Sequence, residues 1–362
     1  MLFNYHYITH DIEKFQTWLD HLVKVVWCNA MGDFNIDLLH PDLRAVVLDI
    51  YNTEDAKPRG KTGDWLYGPI RDIFNLFKTL SPQQRQQISG WYDNNNDIES
   101  LCANDPLKIP GTYAQINAIN AELEKALKAF CQSLFTDVIH LKAVTSRTAE
   151  IDAHYDAFVT ENDEGKCPYC GYGDIKGQNH STREAYDHFL PKGIYPFNSV
   201  NFKNLAPMCH ECNSSYKLKK DPIKNIDPLH RTIAGTRRKA FYSYATAAPG
   251  ISIGLALATA DIAQLSPADI TLAITAPGRD EEVESWMDVF GIEERFKAKC
   301  CAKNDGKYWL VQALDECKNG AKTSQEIVET IQRYANANPW AEANFLKKPF
   351  LDACNQIGIF DP

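Results

Sequence analysis

Apolar residues in the first 160 positions recur every three or four residues, which is the spacing of amphipathic helices. Asp11 precedes the first stripe and is the expected N-cap of its helix. The apolar positions of this stripe, all expected to face the core, are Ile12, Phe15, Trp18, Leu19, Leu22, Val23 and Val26. Residues 1–160 are therefore predicted to form a helical amino-terminal domain.

Two further stripes complete this domain. One predicts a long helix from Thr112 to Ile139, and the other predicts a helix from about Thr148 to Glu161 that leads into the next region. The stretch PRGKTGD, residues 58–64, interrupts the pattern and predicts an exposed loop.

The pattern changes again beyond Lys239. Residues 251–257 and 270–275 are β-prone and are bounded by Pro-Gly pairs, which predicts a short strand pair. A capping box, Thr323-x-x-Glu326, then predicts the start of a helix that ends at Asn338-Pro339. The expected fold is α+β and mostly α. A central module, residues 161–240, lies between the helical region 1–160 and a mixed, mainly helical region 241–362.

The composition is that of an ordinary globular protein, with 44% hydrophobic and 23% charged residues among 362. The opening residues, MLFNYHYITHDIEKF, lack the basic and continuous apolar regions of a signal peptide. No run approaches 18 apolar residues, so no membrane span is expected. We expect an intracellular, cytoplasmic protein.

The charge is distributed unevenly along the chain. The formal net charge is −9, but residues 166–239 hold 13 Lys and Arg against 6 Asp and Glu, so the remainder carries −16. A basic module inside an acidic protein is typical of a site where a phosphate backbone docks. The alternative interpretation is a solvated basic surface without a ligand.

Two Cys-x-x-Cys knuckles, Cys167/Cys170 and Cys209/Cys212, lie in this basic module. Four thiolates in two such knuckles are the usual ligands of a closed, tetrahedral structural zinc. The other seven cysteines lack this spacing and are expected to be reduced, mostly buried thiols.

The residues between and beside the knuckles exceed what a plain zinc ribbon needs. Asp187 and His188 lie between the knuckles, and Asn213 directly follows the second one. A scaffold that binds only zinc would not require these three residues together. They predict a reactive site in addition to the structural zinc site.

The segment from Cys167 to Lys217 contains CPYC, DHFLPK, the Asn204-Leu205 pair and a CxxCN ending. It resembles the HNH endonucleases with the ββα-metal fold, in the branch that carries a four-cysteine zinc. The preceding helix and the segment WMDVFGIEERF resemble the flanks of bacterial HNH proteins associated with anti-phage defence. The resemblance implies a metal-dependent endonuclease that hydrolyses phosphodiester bonds, with DNA favoured over RNA as the substrate.

The chemistry of the residues agrees with this resemblance. His188 is the expected general base, because a neutral imidazole accepts a proton near pH 7. Asp187 and Asn213 offer hard oxygen ligands for a catalytic Mg²⁺ or Mn²⁺. Neighbouring strand residues point to opposite faces, so a bend at Asp187 and His188 is expected to bring both toward the substrate. The zinc would fix the backbone at Asn213.

Several further residues have two interpretations. Asn204 corresponds to the middle Asn of HNH, which steadies the histidine in the family, although Asn also favours turns for local reasons. Lys217, one helical turn after Asn213, either contacts a phosphate or belongs to a solvated run, and the same alternatives hold for Lys192. The basic cluster Arg231, Arg237, Arg238 and Lys239 either extends the nucleic-acid surface or does not.

Two rival functions stay open. One is a zinc-ribbon module that binds nucleic acid, and the other is a nuclease-like subunit without catalysis of its own. By analogy with defence systems, the acidic flanks are candidates for docking an ATPase or a sensor protein.

Overall fold

The computed structural model describes residues 1–52, 57–59, 63–225, 235–318 and 323–360. Helices dominate these ranges, and their sheets have two strands each. The fold is therefore α+β and mostly α, as predicted. No helix among the described residues combines the length and the apolar character that crossing a bilayer requires.

The amino-terminal helices bury the predicted stripes. All seven apolar positions of the first stripe are buried. The N-cap is His10 rather than Asp11: the ring of His10 accepts the Ile12 N–H at 3.3 Å, and Glu13 accepts the His10 N–H at 2.9 Å. The α-helices of this region are Lys14–His21, Pro41–Ile50, Tyr67–Lys78, Pro82–Asn96, Ile98–Cys102, Tyr113–Ile119, Ala121–Thr136, Lys142–Thr145 and Ile151–Glu161.

The predicted long helix over 112–139 is two helices. Asn120 adopts an extended conformation between Tyr113–Ile119 and Ala121–Thr136, and its side chain accepts the Leu123 N–H at 3.0 Å. Asparagine at an N-cap satisfies a helix's unpaired N–H groups and therefore favours a new start over continuation. The apolar stripe continues across this break, so its periodicity did not reveal the break.

The carboxy-terminal region follows its prediction closely. Strands Ser252–Leu257 and Ile270–Thr275 pair antiparallel. Helix Ser324–Ala337 has Thr323 as its N-cap, with the expected capping box, and Asn338 as its C-cap. The other α-helices of this region are Asp280–Phe290, Ile292–Cys301, Gly306–Lys318 and Asn344–Gln356.

The predicted loop over residues 58–64 is only partly described. Lys57–Pro58 pairs with Tyr51–Asn52, and residues 60–62 lie outside the described ranges. Arg231 of the predicted basic cluster also lies outside them.

The central module contains a two-stranded antiparallel hairpin followed by a helical turn. Strand Tyr186–His188 pairs with Leu205–Pro207, and the π-helical turn Cys212–Lys217 follows. The start of the chain packs here, since Leu2 N–H donates to the Pro168 carbonyl at 2.8 Å. One continuous apolar core connects all three regions, and the division at residues 160 and 240 stays a prediction.

Candidate functional site

The two predicted knuckles meet in space. The sulfurs of Cys167, Cys170, Cys209 and Cys212 all lie within 4.8 Å of one another, and all four residues are buried. Sγ of Cys170 lies 3.9 Å from Sγ of Cys209. Four ligands at about 2.3 Å around a tetrahedral zinc would stand about 3.8 Å apart. The cluster is therefore the right size and chemistry for one structural zinc ion.

Hydrogen bonds from outside the knuckles reach two of these sulfurs. The Gly173 N–H donates to Cys170 Sγ at 3.3 Å, and the Arg295 guanidinium donates to Cys212 Sγ at 3.2 Å. Donors of this kind stabilise thiolates and orient metal ligands. Arg295 belongs to helix Ile292–Cys301, far along the chain from the knuckles.

Asp187 and His188 lie on a regularly paired strand. Asp187 is opposite Ala206, His188 is opposite Leu205, and the ladder continues through the Phe189 N–H to the Asn204 carbonyl. The structure therefore shows no break in pairing at the position of the expected bend. Asp187 is buried and His188 is half-buried.

The Lys217 side chain is buried against this strand rather than solvated. Its Nζ lies 2.8 Å from Asp187 Oδ2 and donates to the His188 carbonyl at 2.9 Å. The two groups therefore form a buried ion pair at hydrogen-bonding distance. Burial raises the pKa of Asp187 above its ordinary value, and the Lys217 charge partly opposes this shift.

His188 is held by one ring nitrogen. Its Nε2 lies 2.8 Å from the Ser199 carbonyl, which can only accept a hydrogen bond. Nε2 therefore carries the proton, and Nδ1 is left as the acceptor. Burial and the Lys192 charge lower the pKa of His188 to about 3, and the hydrogen bond to Ser199 opposes them. The ring is neutral at pH 7.

An aromatic side chain from the amino-terminal region packs against His188. The ring of Phe135 contacts that of His188 edge to face, with centroids 4.6 Å apart. The Lys192 ammonium lies 5.0 Å from the centroid of the same ring. Phe135 therefore contacts the candidate base and a nearby cation at once.

Asn204 connects the two ends of the hairpin loop. Its buried side chain accepts the Leu190 N–H at 2.8 Å and donates to the Leu190 carbonyl at 3.0 Å. Leu190 is two residues after His188. These contacts constrain the backbone that leaves the Asp187-His188 strand.

Asn213 follows Cys212 in the π-helical turn and is half-buried. Among the described residues, no hydrogen bond to its side chain is present, while its carbonyl accepts the Leu218 N–H at 3.0 Å. The amide oxygen is thus free to serve as a ligand.

Part of the basic excess of the module serves the fold. Arg237 donates to three backbone carbonyls, and the buried Arg238 binds Asp288 and the Pro222 carbonyl. Both guanidinium groups are therefore held by contacts within the protein. Lys219 is exposed and Lys192 is half-buried.

Three contacts of the site were missed from the sequence. The helical pattern assigns Phe135 no role beyond its helix, and Ser199 carries no sequence signal because its backbone makes the contact. Arg295 lies inside the segment WMDVFGIEERF, whose resemblance to the flanks of other HNH proteins gives the arginine no role.

Comparisons with known proteins give two partial matches. The chain is 39% identical over 164 residues to Protein ea31 of Escherichia phage lambda, which covers 45% of this chain and 47% of that protein. It is 38% identical over 68 residues to the Septu protein PtuB of Bacillus thuringiensis, covering 18% of this chain and 25% of PtuB. The chain thus matches less than half the length of these relatives. No family model and no solved structure matches it.

Proposed function

We propose that this protein is a metal-dependent HNH endonuclease in which His188 is the general base. The observation that supports this best is the ring of His188, whose Nε2 is held by the Ser199 carbonyl and whose Nδ1 is left to accept a proton. A base oriented in this way by a backbone acceptor is suited to activate water for attack on a phosphodiester. The resemblance of the segment 167–217 to that family supports the same reaction.

The low pKa of His188 keeps its ring available as a proton acceptor, but it also makes the ring a weak base in the absence of substrate. At neutral pH the imidazole is unprotonated and therefore ready to accept a proton. A phosphate group close to the ring would favour the imidazolium and raise its pKa, because an opposite charge stabilises the protonated form. The base would thus strengthen when substrate binds.

Asp187 and Asn213 are the residues we propose for the catalytic Mg²⁺ or Mn²⁺. The buried carboxylate of Asp187 and the amide oxygen of Asn213 are hard ligands that suit either cation. When bound, the cation neutralises charge on the scissile phosphate and the leaving oxygen. Asn204 keeps the strand end in place, and Lys217 balances the charge of Asp187.

We propose DNA as the substrate ahead of RNA, and anti-phage defence as the setting. The family resemblance and the partial match to PtuB support a defence role. The match to a phage protein indicates that related sequences also occur in phages. An ATPase or a sensor protein docking on the acidic flanks is part of the same proposal.

A plasmid-nicking assay tests the proposal. Supercoiled DNA and a structured RNA are incubated with the protein and Mg²⁺ or Mn²⁺, and nicked product is quantified. We expect His188→Ala to lower the rate by on the order of a hundredfold or more. His210→Ala changes an exposed histidine of the same module and is the matched control. Equal cleavage by His188→Ala and wild type would show that His188 is not the base.

A second candidate is nucleic-acid binding without catalysis. It is favoured by the contact between Lys217 and Asp187, which already gives the carboxylate a positive partner. In that case the protein would bind DNA in a gel-shift assay without cleaving it at any Mg²⁺ or Mn²⁺ concentration. His188→Ala would then bind as tightly as wild type.

A further inference from the structure

Arg295 makes an unusually complete set of contacts for a buried arginine. Its guanidinium donates to Cys212 Sγ at 3.2 Å, to the Phe290 carbonyl at 3.2 Å, to Glu211 at 2.9 Å and to the Tyr172 hydroxyl at 3.0 Å. Only 4% of the residue is exposed. A buried guanidinium is costly unless its donors are satisfied and its charge is balanced. Glu211 is exposed, whereas the cysteine that accepts from the same guanidinium is buried.

Two aromatic rings surround the same guanidinium. Its carbon lies 4.5 Å from the ring centroid of Tyr216 and 5.3 Å from that of Tyr172. Tyr172 follows the first knuckle closely, and Tyr216 lies in the turn that begins at the second. Arg295 therefore contacts residues next to both knuckles from a helix of the carboxy-terminal region.

Charge explains why an arginine suits this place. Four thiolates around one Zn²⁺ carry a net charge of −2, and burial makes that excess costly. A guanidinium is always protonated and presents several fixed donors, so it offsets charge and orients a sulfur together. Lysine would keep the charge but lose the fork of donors.

We propose that Arg295 stabilises a zinc–thiolate centre by donating a hydrogen bond to Cys212 Sγ and by offsetting the negative charge of the centre. Arg295 thereby couples retention of the metal to packing of helix Ile292–Cys301. The helix supplies the cation that stabilises the bound metal. In turn, the metal keeps Cys212 as a charged acceptor for the helix. Because Asn213 follows Cys212, the same contact fixes the backbone of the proposed catalytic turn.

The direct test is the rate of zinc release from purified holoprotein to a chromogenic chelator. We expect Arg295→Met to release zinc about 10- to 100-fold faster than wild type, in proportion to the loss of metal affinity that follows removal of such partners. Arg295→Lys should release zinc faster than wild type and more slowly than Arg295→Met. Arg238→Met is the matched control, because Arg238 is equally buried but binds Asp288 instead of a thiolate. Release from Arg295→Met no faster than from Arg238→Met would overturn the proposal.

Cobalt substitution gives a second, spectroscopic readout. A Co²⁺ ion held by four thiolates absorbs through sulfur-to-metal charge transfer, and losing a hydrogen bond to one sulfur should shift that band in Arg295→Met. The Arg238→Met protein should keep the wild-type spectrum. An unshifted band in Arg295→Met would contradict a contact between Arg295 and the ligand sulfur.

Hydrogen exchange on the wild-type protein covers the case in which Arg295→Met does not fold. Zinc is removed with a chelator, and amide protection is compared between helix Ile292–Cys301 and helix Ser324–Ala337. We expect the first helix to lose more protection than the second. An equal loss in both helices would overturn the coupling. None of these readouts depends on nuclease activity.

Discussion

The four-cysteine cluster and the candidate Asp187-His188 site are neighbours with opposite construction. All four cysteines are buried, and their sulfurs lie within 4.8 Å of one another. The second site includes a half-buried histidine with one ring nitrogen free, and a buried carboxylate whose partner is the Lys217 ammonium. A closed ligand set suits a permanent ion, whereas unsatisfied groups suit a ligand that comes and goes. Lys217, at the end of the turn that begins at Cys212, contacts Asp187 and so connects the cysteine cluster with this strand.

Removing a cysteine should have the largest effect. Cys209→Ser takes one ligand from the closed cluster, and a structural zinc contributes roughly 10–16 kcal/mol of apparent free energy in small zinc domains. We expect loss of the bound zinc, measured by metal analysis, and unfolding of the central module. Cys301→Ser makes the same chemical change outside the cluster and should keep one zinc. Asp187→Ala should also keep it, and loss of zinc there would mean that the two sites share the metal.

Breaking the buried ion pair should have the next largest effect. Lys217→Met leaves Asp187 as an uncompensated buried charge, which costs about 3–5 kcal/mol of unfolding free energy in urea titrations. Burial raises the pKa of Asp187, and removing the opposing Lys217 charge raises it further. As pH falls, the Asp187 carboxyl of the folded variant therefore becomes protonated and neutral. The loss of unfolding free energy in Lys217→Met should then shrink in acid. The exposed Lys219→Met is the control. A loss that grows in acid would contradict this account.

Removing the Asn204 contacts should lower the unfolding free energy less than breaking the ion pair does. Asn204→Ala leaves the Leu190 N–H and carbonyl without their partners, at a cost of about 1–3 kcal/mol in unfolding free energy. Asn201→Ala removes a similar buried amide from the same loop, but one that binds Asn96. If Asn204 positions His188, only Asn204→Ala should also slow DNA nicking. Equal rates for the two variants would restrict Asn204 to a structural role.

The smallest effect is expected from the contact between the Phe135 and His188 rings. Phe135→Leu removes an edge-to-face pair worth about 0.5–1.5 kcal/mol, which corresponds to about a tenfold or smaller change in nicking rate. The NMR signals of the His188 ring should shift in this variant. Phe130→Leu alters a ring of the same helix that packs on Trp27 and should leave those signals unchanged. Unshifted signals in Phe135→Leu would show that the ring does not position the base.

The sequence predicted the features that depend on local pattern. The first apolar stripe, the carboxy-terminal strand pair and the Thr323 capping box are confirmed, because short-range spacing determines which face is buried. The closure of the two knuckles was also predicted, because four thiolates at this spacing rarely have another use. The helix break at Asn120 was missed because capping and periodicity compete there.

The features that depend on distant residues were not predicted. Lys217 lies in a run with two other lysines, and only the packing of the hairpin shows that its side chain is buried against Asp187. Phe135 and Arg295 come from helices on either side of the module, 53 and 107 positions from His188. No local pattern reports such long-range contacts, since each depends on how whole elements pack.

The π-helical turn Cys212–Lys217 limits how this segment can change during evolution. A π turn closes on the fifth following residue, as in the hydrogen bond from Leu218 to Asn213, and holds one residue more than an α-helical turn. Deleting one residue would restore a regular helix but would rotate Lys217 away from Asp187. The exposed side chains of this turn can therefore vary among relatives, whereas its length should stay constant.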